Sequence, residues 1–91
     1  MHVLRPCRSV AGYTCTPDRN HSLDLERAAD ALERAGFRVQ NVEVMLITTK
    51  EEETTVYSSG KLLIKTRDEG VARRVSDEIY GVLTSAGMVV D

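Results

Sequence analysis

Val39-Gln40-Asn41-Val42-Glu43-Val44-Met45-Leu46-Ile47-Thr48-Thr49 is the stretch on which the fold turns. It is rich in β-branched residues and holds neither glycine nor proline, so it reads as one long strand. Side chains alternate along a strand: Val42, Val44 and Leu46 share one side and Glu43, Met45 and Ile47 the other. Both faces are therefore partly apolar. Lys50-Glu51-Glu52-Glu53 follows as a charged turn, and Thr54 to Ser58 returns as a second strand with Val56 opposite in sense to Thr55 and Tyr57. Ser58-Ser59-Gly60-Lys61 is the next turn, and Leu62 to Thr66 the next strand, where Leu62 and Ile64 alternate with Leu63 and Lys65.

Outward from this core the period changes. Leu25, Ala28, Ala29, Leu32 and Ala35 recur at the spacing that gives a helix one apolar stripe, with Ser22 or Asp24 as N-cap and Gly36 as its stop. Asp30 and Arg34 add an i,i+4 ion pair on its wet face. Val71, Val75, Ile79, Val82, Leu83 and Ala86 form a second stripe, capped by Asp68 and closed by Gly87, with Gly70 and Gly81 weakening the helix slightly. Ser9 to Cys15 reads as a further strand ended by the turn chemistry of Thr16 to Asn20. These elements predict an α+β fold: a curved antiparallel sheet of about four to five strands with two helices on one face, in the order β-α-β-β-β-α. One domain spans residues 1–91, with 1–8 and 88–91 peripheral to it. Two helices cover one sheet face, so Tyr57, Leu63 and Met45 or Ile47 are expected on the other, facing water or a partner.

The chain has 91 residues, 42% hydrophobic and 29% charged, which is the composition of a folding domain and leaves no room for a two-domain enzyme. A formal net charge of -2 argues against a general polyanion binder while permitting a local basic patch. No window is apolar over the length of a membrane span, and the N-terminus has no signal core, so a cytoplasmic address with reduced Cys7 and Cys15 is expected.

Ser22-Leu23-Asp24-Leu25-Glu26-Arg27, Val44-Met45-Leu46-Ile47 and Thr54-Thr55-Val56-Tyr57-Ser58-Ser59-Gly60-Lys61-Leu62 together resemble one repeat of the TATA-box-binding protein family. Val71-Ala72-Arg73-Arg74-Val75 falls where that family has a helix rich in Ala and Arg. The resemblance covers roughly residues 9–86. It implies half of a saddle whose concave sheet lies on an opened minor groove, completed by homodimerisation as a two-fold pair. Tyr57 stands where the family has a phenylalanine that wedges between bases, Thr55 at a groove-contacting leucine, Leu63 at a groove-contacting valine and Lys65 near a groove-contacting threonine. The second family phenylalanine aligns near Gln40, and Phe37 lies out of that register. Met45, Thr55, Tyr57, Leu63 and Lys65 are thus the candidate sheet-face contacts, and Lys61, Lys65 and Arg67 the candidate phosphate contacts. Glu43 and the Glu51-Glu52-Glu53 crown oppose phosphate.

The residues assemble no evident catalytic or cofactor site. His2 and His21 read as solvent histidines. Cys7, Cys15 and His21 lack the spacing of a zinc set. Cys15 with His21 is the one thiol and base pairing, with Cys15 more simply a strand cysteine packed against a helix. Glu51 to Glu53 read as a hydrated turn, as do Asp77 and Glu78 on their helix. Ser58-Ser59-Gly60-Lys61 leads into a strand and not the helix that a phosphate loop needs. The expected function is a non-enzymatic module that uses its open sheet face for self-association or protein binding. The alternatives are direct binding of DNA or RNA and, behind it, a small cysteine-dependent enzyme; no membrane partner is expected.

Overall fold

A computed structural model describes residues 2–7, 12–17, 23–42, 45–50 and 52–87. The expected turn residues 18–20, His21, Ser22, Glu43, Val44, Glu51 and the start of the strand placed at Ser9 lie outside the described residues. The element order is β1 (His2–Cys7), β2 (Gly12–Pro17), α1 (Leu25–Arg34), β3 (Arg38–Val42), β4 (Met45–Thr49), β5 (Glu53–Tyr57), β6 (Leu62–Ile64) and α2 (Glu69–Ser85).

The strands make one antiparallel sheet of six in the order β1-β2-β6-β5-β4-β3. This corrects the expected fold in three respects. An N-terminal strand precedes the one read from Ser9, so the order opens β-β-α. The stretch 39–49 is a hairpin and not a single strand, with Val42 paired to Met45 and Arg38 to Thr49. Among the described residues the sheet is open, with β1 and β3 at its edges, and not strongly curled, unlike a saddle.

Each correction has a physical reason. β1 contains Pro6, which argues against a central strand but is tolerated at an edge. Eleven extended residues would run about 36 Å, longer than the 30 Å longest dimension of the molecule. Folding the run back between Val42 and Met45 keeps its apolar residues on the sheet. It also reverses the side on which Val42 lies, because Val42 now pairs with Met45 and shares its face instead of that of Leu46.

Other boundaries follow local chemistry. The Asp24 carboxylate accepts from the Glu26 and Arg27 amides and caps α1; Asp68 accepts from Val71 and caps α2. Gly36 and Gly87 follow the two helices with φ of 97° and 88°. Gly60 closes the β5–β6 hairpin at φ 94°, its amide donating to the Tyr57 carbonyl at 2.9 Å. At Gly12 a Cβ would meet the Ile64 carbonyl oxygen at 2.5 Å, so only glycine lets β2 approach β6 this closely.

Both helices pack on one face of the sheet. Cys15, Leu46, Val56, Leu62 and Ile64 from the strands and Ala28, Leu32, Ala72, Ile79 and Leu83 from the helices are fully buried in a single cluster. Phe37, at the exit of α1, joins them. Buried Thr48 donates to the Thr54 carbonyl at 3.0 Å, so the hydroxyl is paired inside the core.

The helices are antiparallel neighbours, and each C-terminus meets a cation from elsewhere. Arg27, in the first turn of α1, donates to the Ala86 carbonyl after α2 at 2.9 Å. Lys50 donates to the Ala35 carbonyl after α1 at 3.3 Å, pairs with Glu78 at 3.2 Å and lies 5.2 Å from the Phe37 ring centroid. Positive charge at a helix C-terminus is favoured by the aligned peptide dipoles. No helix among the described residues is long and apolar enough to cross a membrane.

Candidate functional site

The register of the strands assigns each residue of the sheet to a face, since directly paired residues project to the same side. One row on the side away from the helices reads Arg5, Thr14, Leu63, Thr55, Ile47, Gln40 across β1, β2, β6, β5, β4 and β3. Two residues along, Tyr57, Met45 and Val42 form a second row, and Lys61 joins it because the Tyr57 amide donates to the Lys61 carbonyl at 2.9 Å. On the other flank Lys65, Glu53, Thr49 and Arg38 form a third.

Met45, Thr55, Tyr57, Leu63 and Lys65 therefore lie on one face, the one without helices. Met45, Ile47, Tyr57 and Leu63 are half-buried, and Val42 is equally so at the edge. Thr55 is only 6% exposed and offers a partner little area. The Lys61 ammonium lies 5.8 Å from the Tyr57 ring centroid. Lys65 pairs with Glu53. Arg67 falls in the bend between β6 and α2, beyond the paired rows, and is exposed.

Charge divides between the two faces. On the open face Arg5, Arg38, Lys61 and Lys65 stand against one described carboxylate, Glu53. Among the described residues no carboxylate pairs with Arg5, Arg38 or Lys61. In α1, α2 and their caps the balance reverses: Asp24, Glu26, Asp30, Glu33, Asp68, Glu69, Asp77 and Glu78 outnumber Arg27, Arg34, Arg73 and Arg74. Arg5 and Arg38 escape the sequence reading because one sits on the unread β1 and the other on the outer arm of the unread hairpin.

On the helical side a groove of about 780 Å³ runs between α1 and α2. Its walls mix Arg27 and Arg34 with Asp30, Asp77 and Glu78, and Arg34 is paired with Asp30 at 3.2 Å.

Cys15 is buried beneath α2. Burial raises its thiol pKa above the ordinary value of 9.0, outweighing the opposing hydroxyls of Tyr80 and Ser76, so it stays protonated at neutral pH. A protonated, enclosed thiol is a packing group and not an activated nucleophile. Tyr80 is also buried, its phenol pushed upward chiefly by desolvation, and its hydroxyl is shared between the Gly60 carbonyl at 2.7 Å and the Cys15 carbonyl at 3.3 Å. This hydroxyl ties α2 to β2 and to the β5–β6 turn. Among the described residues no three His, Cys, Asp or Glu side chains gather in a way that could hold a metal ion.

No family model, curated protein or solved structure matches this chain, and none links it to the TATA-box-binding protein repeat.

Proposed function

We propose that this chain is a non-enzymatic interaction module that works through the helix-free face of its sheet, in the cytoplasm. The observation that supports the reading is the neighbouring set Val42, Met45, Ile47, Tyr57 and Leu63 on that face, half-buried and covered by neither described helix. Apolar and aromatic side chains grouped inside a polar, charged rim are what a contact surface desolvates on association. The protonated Cys15 thiol, enclosed under α2, lends no support to a cysteine-dependent reaction.

The test is a pair of variants that leave the core untouched. Leu63→Glu places a carboxylate in the middle of the open face, while Glu33→Lys alters the exposed side of α1. Association with a partner or with a second copy, measured by sedimentation or surface capture, should weaken at least tenfold in Leu63→Glu and persist in Glu33→Lys. Equal association in both variants, with both folded by circular dichroism, contradicts the reading.

A further inference from the structure

We infer that the open sheet face binds single-stranded nucleic acid, with a base stacked on Tyr57 and phosphates held by Lys61, Lys65 and Arg5. The inference rests on the proposed role of this face as the contact surface and names its partner.

Three observations carry it. The first is charge: a chain of net -2 collects four cations and one described carboxylate on this face, and sets an excess of carboxylates on the opposite one. Such a separation selects an anionic partner and orients it towards the sheet. Two copies meeting through this face would bring like charges together.

The second is the placement of those cations around a stacking platform. Lys61 and Lys65 lie four residues apart on the β6 line, about 13 Å, and Arg5 lies two strands from that line, about 10 Å. Leu63 lies between the two lysines, and on the side of β6 away from Arg5 the apolar floor continues through Tyr57 on β5 to Met45 and Ile47 on β4. Tyr57 is half-buried, and Lys61 lies beside its ring. Stacking on an aromatic ring next to backbone-tracking cations is how single strands are held without base-specific hydrogen bonds.

The third is the shape and bonding of the sheet. Each interior strand is bonded to a neighbour on both sides, so the face offers an extended acidic peptide no backbone ladder, whereas stacking needs none. The sheet is not strongly curled, unlike a saddle that straddles a duplex. Unstacked bases can lie flat on it.

The experiment is fluorescence anisotropy of the full chain with labelled octauridylate, octathymidylate, a duplex of the same length and polyglutamate, each at 50 and 200 mM salt. The expected result is binding of one or both single strands in preference to duplex and polyglutamate. Three phosphate contacts should make the affinity fall about 20-fold between the two salt concentrations. Lys61→Ala should reduce that fall to about sevenfold. Tyr57→Ala should weaken binding by about fivefold or more, and Tyr57→Phe should restore it. Unchanged melting curves show that the variants fold.

Absence of single-strand binding at 100 μM protein overturns the inference, as does equal binding of polyglutamate, tighter binding of duplex, or indifference to both Tyr57→Ala and Lys61→Ala. Self-association that Lys61→Glu abolishes, without oligonucleotide binding, assigns the face to the acidic helices of a second copy. That result overturns the inference and leaves the contact surface standing. Loss of every association difference between wild type and Leu63→Glu overturns both.

Discussion

Leu62 and Leu63 are adjacent on β6 and chemically identical, yet the first is fully buried beneath the helices and the second only half-buried on the open face. The same contrast holds for Leu46 and Ile47 on β4 and for Val56 and Tyr57 on β5. One side of the sheet is spent on stability. The other keeps Val42, Met45, Ile47, Tyr57 and Leu63 with neither described helix over them, and that difference is the basis for reading it as a surface of contact.

Truncating a side chain on each side of the sheet should give the largest contrast. Leu46→Ala and Leu62→Ala remove fully buried side chains and should each cost about 2–5 kcal/mol in urea unfolding. Leu63→Ala should cost less than about 1 kcal/mol, since its site already meets water. Similar losses at Leu62 and Leu63 would show that the open face is covered after all.

Tyr80→Phe sharpens the account of the buried side. It deletes the hydroxyl shared by the Gly60 and Cys15 carbonyls and should destabilise by about 1–2 kcal/mol in thermal or chemical unfolding. Tyr57→Phe, the matching change on the open face, should leave stability within about 0.5 kcal/mol.

Alkaline pH separates the faces next. Cys15 and Tyr80 both have folded-state pKa values raised by burial, so the folded chain holds these protons more tightly than the unfolded one. Their contribution is complete below the ordinary thiol value of 9.0 and is lost as pH rises past it, with the phenol adding its share above 10.0. Stability should be level from pH 7 to 8 and fall as pH rises above 9, more steeply once the phenol joins above 10. Cys15→Ala should flatten the first part of that fall. The smallest effect belongs to the exposed Asp30–Arg34 pair, where Arg34→Ala should cost about 0.3 kcal/mol.

Much of this division was legible in the sequence. The period of two over Thr54 to Lys65 assigns Thr55, Tyr57, Leu63 and Lys65 to one side, and the register agrees. Asp24, Asp68, Gly36, Gly60 and Gly87 mark their turns and caps through chemistry that acts within a few residues. What escaped was non-local. The reversal between Val42 and Met45 carries no glycine or proline signal, and β1 is stabilised by pairing with β2 in spite of its Pro6. The basic character of the open face depended on both, because Arg5 and Arg38 join it only through those pairings. The saddle expected from the family resemblance failed for a related reason: short sequence matches over hairpins carry the turn and not the curl of the sheet or its full complement of strands.

Hydroxyl-radical footprinting of the free and oligonucleotide-bound chain reads both faces of the sheet in one sample. Met45, Tyr57 and Leu63 should react in the free chain and become protected on binding, while Leu46, Leu62 and Tyr80 stay protected throughout. Protection of Met45, Tyr57 and Leu63 in the free monomer would contradict the account.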